Sequence, residues 1–240
     1  MTFLQSEALR FGAEPNVIRD IAGFAAGRAA EIGKENVFNF SIGNPNVPAP
    51  AAVTESLVRI LQTMPPEKLH AYTPAPGLPQ VRKVIAEDLN RRFGTDYSEH
   101  DLYLTVGATA ALAIACRALL LPGDEVVIFA PYFPEYPVFA EVCGAKPVFL
   151  KCRESDFQID LAAFEAAVTE RTKLVIMNSP SNPSGSIFSA ETISAISDIL
   201  RRREQAYGHP VYLLADEPYR ELVYDADTVV PFIPQSPSRL

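Results

Sequence analysis

The sequence has little cysteine and histidine, and it lacks the usual signatures of metal and nucleotide sites. Its three cysteines, Cys116, Cys143 and Cys152, are odd in number and widely spaced, and no CxxC or Cys/His zinc spacing occurs. This pattern predicts reduced thiols in a cytoplasmic protein and no metal site. The chain also has no GxGxxG, GxxxxGKS/T, HExxH or GxSxG motif. That absence argues against dinucleotide, P-loop, zincin and serine-hydrolase sites.

Long apolar runs and targeting segments are also missing. The longest apolar stretch, residues 108–121, is interrupted by Arg117 and is too short to span a bilayer. The first fifteen residues lack the basic start and apolar core of a signal peptide. The net charge is −8 and the two signs are interspersed, which argues against nucleic acid as a main partner. We therefore expect neither a membrane nor a nucleic acid among the partners.

The composition is that of a folded globular protein, and strand and helix patterns alternate along most of the chain. With 240 residues, 48% of them hydrophobic, the chain can form one large domain or two small ones. Continuous apolar strands that alternate with helices are typical of a doubly wound α/β domain with a parallel sheet. The predicted strands are residues 102–106, 125–130, 147–151, 173–178 and 211–216, and the helices between them are 108–121, 135–142, 161–168 and 190–207. Upstream, residues 16–33, 52–64 and 78–93 are predicted as helices.

Two polar loops follow predicted strands of this domain. One strand ends at Asn178 and runs into NSPSNPSG, and another ends at Asp216 and runs into DEPY. Ligands of open α/β sheets bind beyond the carboxyl ends of the strands, so both loops are suited to a binding site. A plain alternative is that the first is a Pro/Gly turn and that the acidic residues of the second cap a helix. The occurrence of both loops in order, each at a strand end, favours the site.

The chain resembles the class I/II aminotransferases of fold type I, which are of the aspartate aminotransferase type and use pyridoxal 5'-phosphate (PLP). NPSG followed by DxxY is similar to the NP-S/T-G and DxxY segments of that family. Further segments match in the same order: SIGNPNVPAP at 41–50, YTPAPGLPQVRKVIA at 72–86, TVGATAAL at 105–112 and PGDEVVIFAPYFPEYP at 122–137. The resemblance implies an α/β large domain with a mostly parallel sheet and helices on both faces.

The resemblance assigns roles to four side chains around the cofactor ring. Asp216 would face the pyridine nitrogen and keep it protonated, so that the ring can accept the electrons of a substrate carbanion. Asn182 and Tyr219 would donate hydrogen bonds to the phenolic oxygen, and Asn182 would also line the substrate site. Phe133 would stack on the ring, and the less favoured alternative is a core phenylalanine after a strand.

Further roles follow for the cofactor phosphate and the substrate. Gly107, Ala108 and Thr109 would bind the phosphate at the start of a helix, although Thr109 could instead cap that helix. Gly43 would let its backbone approach the substrate carboxylate, or is simply a turn glycine. Tyr72 would reach the phosphate of a neighbouring subunit, which implies a homodimer, or is a surface or interface tyrosine.

The lysine on which PLP chemistry depends is the missing part of the pattern. All six lysines precede Asp216, whereas in the resembling family the cofactor-bound lysine follows DxxY and a substrate-binding arginine comes later still. The resemblance implies that residues 1–50 are an N-terminal arm and part of a small domain. Residues 51–240 would then be a PLP-binding large domain that lacks its last two strands and is incomplete at the C-terminus. We expect a fragment, a sequence cut short or one of two chains.

The function implied by the resemblance is transfer of an amino group between an amino acid, by default aspartate-like, and a 2-oxo acid. A PLP-dependent C–S lyase or decarboxylase of the same fold is an alternative. An alternative of another class is a non-catalytic remnant that binds PLP or a partner.

Overall fold

A computed structural model describes residues 13, 17–41, 43, 47–225 and 227–235 of the chain. The chain divides into two compact units, Met1–Tyr72 and Thr73–Leu240. The domain boundary expected after residue 50 lies inside the first unit and stays a prediction. Among the described residues, no helix has the length and apolar character needed to cross a membrane.

The first unit consists of helices with largely exposed apolar faces. Its elements are α1 (Val17–Ile32), a 3-10 turn (Lys34–Asn36), α2 (Ala51–Thr63) and α3 (Pro66–Leu69). The helices predicted at 16–33 and 52–64 are therefore confirmed with ends shifted by one residue. Within the described part of this unit, Ala25 is the one buried side chain, while Leu57 and Leu61 on α2 are more than half exposed.

The second unit is an α/β domain built on four parallel strands. The strands are β1 (Glu125–Ala130), β2 (Lys146–Lys151), β3 (Thr172–Asn178) and β4 (Tyr212–Asp216). The helices are α4 (Pro79–Phe93), α5 (Ala108–Leu119), α6 (Tyr136–Glu141), α7 (Leu161–Ala167) and α8 (Ala190–Tyr207), and two 3-10 turns lie at Glu99–Asp101 and Ile233–Gln235. The strand order is β2-β1-β3-β4, with every pair parallel. The predicted fold class is confirmed.

Helices cover both faces of this sheet, and the central strands are apolar along most of their length. Successive side chains of a strand point to opposite faces. Val126 and Ile128 of β1 therefore pack with buried side chains of α5 and α6, while Val127 and Phe129 pack with those of α7 and α8. Phe164 of α7 is completely buried. The two clusters hold β1 and β3 in the interior of the domain, and the parallel pairing of β3 with β4 brings the two polar loops out at the same edge of the sheet.

Local side-chain chemistry sets the ends of the helices on one of these faces. Asp160 accepts hydrogen bonds from two backbone N–H groups at the start of α7, and Ser189 accepts one from Thr192 at the start of α8. α8 ends at Gly208, whose φ of 75° lies in the left-handed region that glycine adopts without steric cost. These signals make the limits of α8 readable from the sequence.

One predicted strand is wrong. Residues 102–106 form an irregular connection between the turn Glu99–Asp101 and α5, and they pair with no strand of the described sheet. The backbone N–H of Leu104 instead donates to the carbonyl oxygen of Pro76 at 3.0 Å. A β-rich apolar pattern predicts a strand, but a strand also needs a neighbour to accept its backbone hydrogen bonds.

A buried arginine holds the segments before and after α4 together. Arg82 is only 8% exposed. Its guanidinium donates to the carbonyl oxygens of Gly77 (3.3 Å), Leu102 (3.4 Å) and Glu99. The planar guanidinium has several N–H donors and can serve three carbonyl groups at once, whereas a lysine offers only one nitrogen. The arginine of the YTPAPGLPQVRKVIA segment thus has a clear structural task.

We expect Arg82→Lys to lower the free energy of unfolding by about 1–3 kcal/mol, because at least one partly buried carbonyl group loses a charged donor. Urea unfolding of the variant and the parent protein measures the change. Arg91→Lys is the control, since Arg91 is an exposed residue of the same helix paired with Asp88. Its effect should stay below about 0.5 kcal/mol. Equal effects at the two positions would contradict the role given to Arg82.

Candidate functional site

The two polar loops meet at the carboxyl edge of the sheet. β3 and β4 are adjacent and parallel, and Asn178 is in register with Asp216. The side chain of Asn178 donates from Nδ2 to the carbonyl oxygen of Asp216 at 2.8 Å and accepts at Oδ1 from the backbone N–H of Asn182 at 2.6 Å. One buried asparagine therefore ties the NSPSNPSG loop to the strand that ends in DEPY.

The side chains of Asn182 and Tyr219 face each other across these loops. Asn182 Nδ2 lies 3.4 Å from Tyr219 Oη, and both residues are half-buried. An amide and a phenol so placed can both donate to a single anionic oxygen between them. The structure brings together Asn182, Asp216 and Tyr219, three of the residues singled out from the sequence. Their roles toward a cofactor stay predictions.

The carboxyl group of Asp216 lies in a partly desolvated position and, among the described residues, forms one side-chain hydrogen bond. Tyr136 Oη donates to Asp216 Oδ2 at 2.5 Å. Burial raises the pKa of Asp216 above its ordinary value, and the hydrogen bond from Tyr136 opposes that rise. Burial, followed by the hydrogen bond and charge of Asp216, raises the pKa of the Tyr136 hydroxyl, which therefore remains a donor at neutral pH.

Tyr136 and Asn178 are site residues that the sequence interpretation missed. Both lie in segments quoted for the resemblance, and Asn178 begins NSPSNPSG, but neither was given a role. The available signals were their positions: Asn178 is the last residue of a buried strand, and Tyr136 opens α6 three residues after Phe133. Only the packing of α6 near the end of β4 shows what each side chain contacts.

Phe133 has features of a core residue and also of a residue that could stack on a cofactor ring. Its ring meets that of Tyr136 edge to face, with 5.6 Å between centroids, and it packs against the core cluster under α5 and α6. The side chain is nevertheless only half-buried, so one part of the ring is not covered by protein. Contact with Tyr136 connects Phe133 to Asp216, and stacking on a cofactor stays a prediction.

The turn before α5 has the form of an anion site. Gly107 precedes the helix with φ 99°, and Gly107, Ala108 and Thr109 are all exposed. Thr109 does not occupy the capping position: that position belongs to Gly107, and within the described part of the chain it makes no side-chain capping hydrogen bond. The positive end of the helix is therefore open, which suits a phosphate.

Gly43 and Tyr72 belong to the first unit. Both are exposed, and Tyr72 is fully so. The neighbours of Gly43 at 42 and 44–46 lie outside the described residues. The roles expected for Gly43 and Tyr72, toward the substrate carboxylate and toward the phosphate of a second subunit, stay predictions.

The strands do not place a lysine beside Asp216. Lys146 and Lys173 lie at the amino ends of β2 and β3, away from the polar loops. Lys151 lies at the carboxyl end, but β2 is at the far side of the sheet from β4. Three strand spacings, about 14 Å, separate it from Asp216. A lysine for covalent attachment of a cofactor has to come from elsewhere.

The residues that are present fit the charge pattern of PLP. A half-buried carboxyl group with a raised pKa can share a proton with a ring nitrogen, and Asp216 offers such a group. The facing polar groups of Asn182 and Tyr219 suit a phenolic oxygen, and the open turn at Gly107 suits a phosphate.

Comparison with known proteins gives consistent results. A family model described as aminotransferase class I and II matches residues 35–238. A putative aminotransferase of Bacillus subtilis strain 168, YugH, is 37% identical over 195 residues, which cover 80% of this chain and 48% of the relative. An aspartate aminotransferase of Rhizobium meliloti is 40% identical over 157 residues, which cover 65% of this chain and 37% of the relative.

A solved structure extends the likeness to the whole chain. The crystal structure of an amino transferase from Eubacterium rectale matches 98% of this chain and 59% of that protein, with a TM-score of 0.94 and 42% identity. The present chain spans half or less of the length of the two curated relatives.

Proposed function

The chain belongs to the class I and II aminotransferase family, and on that premise we propose that it forms the cofactor-binding part of a PLP-dependent amino-acid aminotransferase. The enzyme would transfer an amino group between an amino acid and a 2-oxo acid. The observation that supports this most directly is the cluster at the carboxyl edge of the sheet, where Asn178 joins the loops that carry Asn182, Asp216 and Tyr219.

PLP, when bound, supplies an electron sink for the carbanion formed at the substrate α-carbon. The contribution of Asp216 is to hold a proton at the pyridine nitrogen. Burial strengthens that interaction, because a carboxylate in a poorly solvated place gains more from a nearby positive charge than one in water. Tyr136 donates to Asp216 Oδ2 at 2.5 Å and holds the carboxylate in place, so the carboxylate would need little reorganisation to serve the ring.

The remaining groups would orient the cofactor and neutralise its charged oxygens. Asn182 and Tyr219 would donate to the phenolic oxygen from their positions 3.4 Å apart. The N–H groups after Gly107 would hold the phosphate, and Phe133 would cover one face of the ring. In this arrangement the ring nitrogen, the phenolic oxygen and the phosphate would each have a partner, supplied by the loops after β3 and β4 and by the turn before α5.

The proposal needs a lysine and a substrate-binding arginine from sequence that the longer relatives have and this chain does not span. We call the polypeptide with that segment the complete subunit. An aspartate-like donor is the default, which the likeness to an aspartate aminotransferase supports. We further propose that the complete subunit is cytoplasmic and acts as a homodimer in which Tyr72 reaches the neighbouring site.

Three measurements on the complete subunit test this function. Borohydride reduction should fix PLP to a single lysine located after Tyr219. Incubation with aspartate and 2-oxoglutarate should yield glutamate, and incubation with cystathionine should yield no thiol. Thiol or carbon dioxide release in place of amino transfer would assign the alternative lyase or decarboxylase chemistry. Bound PLP without any turnover would indicate a non-catalytic remnant.

The hydroxyl of Tyr136 should set the pH range of activity. Its hydrogen bond lowers the pKa of Asp216, so Tyr136→Phe should raise that pKa and move the acidic limb of the kcat/KM profile upward by about one pH unit, the equivalent of one hydrogen bond. On the acidic limb itself the activity at a given pH should fall up to about tenfold. Tyr207→Phe is the matched control, because Tyr207 also donates its hydroxyl, to the carbonyl oxygen of Val168, but lies on α8. An unchanged acidic limb in Tyr136→Phe would refute the assignment.

A further inference from the structure

An ion pair with little solvent exposure lies directly beside the site residues in sequence. Glu217 follows Asp216, and Arg220 follows Tyr219. The side chains of Glu217 and Arg220 are 13% and 10% exposed. Arg220 Nε donates to Glu217 Oε2 at 3.2 Å, and Arg220 Nη2 donates to Glu217 Oε1, so the pair is bidentate. Each partner is thus attached by a peptide bond to a residue of the proposed site.

The pair also holds the chain that returns over it. Arg220 Nη1 donates to the carbonyl oxygen of Val230 at 3.0 Å, and Nη2 donates to that of Pro231 at 2.7 Å. Glu217 Oε1 accepts from the backbone N–H of Ile233 at 3.2 Å. Ile233 is 2% exposed and belongs to the core cluster beneath α7 and α8. The turn at 217–221 is therefore anchored to the hydrophobic core.

Two aromatic rings complete the surroundings of the guanidinium. Phe93, the last residue of α4, and Phe232 stack with their centroids 4.2 Å apart. The central carbon of the Arg220 guanidinium lies 5.3 Å from the first centroid and 4.9 Å from the second. Cation–π contacts of this kind are stronger when desolvated. Arg220 thus joins α4, the turn after β4 and the segment at 230–233.

This arrangement differs from the surface ion pairs of the chain. Exposed pairs contribute little, because water screens them and the side chains stay mobile. A bidentate pair that also bonds to the backbone fixes the positions of both side chains. Removing one partner destabilises the fold, because the other charge is left without its partner in a poorly solvated place. Tyr219 lies in the turn between Glu217 and Arg220. The geometry of this ion pair therefore also determines where Tyr219 lies.

We propose that Arg220 is a positioning residue, which through Glu217 and the 230–233 segment sets the place of the Tyr219 hydroxyl opposite Asn182. This inference rests on the proposed function, in which Tyr219 donates to the phenolic oxygen of PLP. A turn held less firmly would let that hydroxyl move away from its partner. The expected consequence concerns the cofactor's protonation, because losing a donor to an anionic oxygen raises the proton affinity of the bound chromophore.

The test is a pH titration of the absorbance of bound PLP in the complete subunit. In Arg220→Lys the absorbance midpoint should move upward by about 0.5–1 pH unit, as expected for a weakened hydrogen bond to a charged oxygen. The dissociation constant for PLP should rise about tenfold, which corresponds to one such bond. Arg92→Gln is the matched control: Arg92 pairs with Glu221 of the same turn and lies over Phe93, but that pair is on the surface. Its titration should coincide with the wild type.

A double variant with Tyr219→Phe distinguishes a positioning role of Arg220 from a general contribution to the stability of the fold. In the Tyr219→Phe background, Arg220→Lys should produce no further shift, because the hydroxyl on which it acts is gone. Additive shifts, or loss of thermal stability with an unchanged midpoint, would overturn the proposal. If Arg220→Lys does not fold, Glu217→Gln takes its place, since it keeps the size and one acceptor while removing the charge. It should shift the midpoint in the same direction, and an unchanged midpoint there would equally overturn the proposal.

The outcome for Arg220 is distinguishable from that for the proposed function. The titration needs only bound PLP, whereas amino transfer is measured on the wild type with aspartate and 2-oxoglutarate. A wild type that binds PLP but transfers no amino group would overturn the function and leave the titration to decide the role of Arg220. A complete subunit that bound no PLP would overturn both.

Discussion

Asp216→Asn is expected to lower amino transfer by the complete subunit about 10²–10³-fold, the usual effect of removing one preorganised electrostatic partner in an active site. The amide keeps the shape of the carboxyl group and can still accept the hydrogen bond from Tyr136. It cannot hold a proton at the pyridine nitrogen. Single-turnover conversion of bound PLP by aspartate measures the loss without interference from product release. Activity within tenfold of the wild type would contradict the role of Asp216.

The same substitution should leave the PLP-free protein at least as stable as the wild type at neutral pH. Burial raises the pKa of Asp216 in the folded protein. The folded state therefore binds more protons than the unfolded state between the ordinary aspartate pKa of about 3.9 and the raised value. Stability from this group is present below that interval and is lost as the pH rises through it. An asparagine does not titrate, so the variant should show a weaker decline over the interval.

Urea unfolding of the PLP-free subunit at several pH values measures this difference, since the midpoint reports stability while the slope is unchanged. Asp198→Asn on α8 is the control, because Asp198 is exposed and pairs with Arg201 on the surface. Its curve should run parallel to that of the wild type. A marked loss of stability in Asp216→Asn at pH 7 would show that the carboxylate stabilises the fold, against the direction of its pKa shift.

Asn178→Asp should reduce both stability and cofactor binding. A carboxylate at this position can accept the N–H of Asn182, but it has no N–H for the carbonyl oxygen of Asp216, and it adds a buried charge at the strand position in register with Asp216. We expect the free energy of unfolding to fall by about 2–4 kcal/mol at pH 7. Part of this should return at low pH, because the protonated form is neutral and can donate. PLP binding should weaken at least tenfold, since the two loops lose their connection.

Asn90→Asp is the matched control for this variant. Asn90 also bridges two segments, with Nδ2 donating to the carbonyl oxygen of Tyr97 at 2.8 Å and Oδ1 accepting from the N–H of Tyr97 at 2.8 Å. It lies on α4 and has no contact with the polar loops among the described hydrogen bonds. Its substitution should destabilise the protein but leave the affinity for PLP unchanged. If both variants lose affinity for PLP equally, the loss in Asn178→Asp is caused by lower stability of the fold and not by a change at the candidate site.

Local patterns made most of the helices and strands predictable. β1 at 125–130 and α8 at 190–207 agree to the residue, because a continuous apolar run and a capped amphipathic helix depend on nearby residues. The segment at 102–106 has the same strand-like pattern but lacks a neighbour, and it is not a strand. Whether a neighbour is present depends on the rest of the chain, so no local pattern could show it.

The α/β class, most of the elements and the two loops that carry Asn182, Asp216 and Tyr219 were predictable from the sequence, because they depend on periodicity and on short ordered segments. The bond from Tyr136 to Asp216, the link that Asn178 makes between the two loops and the anchoring of the turn by Arg220 became visible only in the folded domain. The residues of these contacts are 80, 38 and 10 positions apart in the chain. The parallel order of β3 and β4 and the packing of α6 beside them bring the first two together. This strand order and this packing of α6 depend on the burial of both faces of the sheet. Such burial is a property of the whole domain, and no single segment contains it.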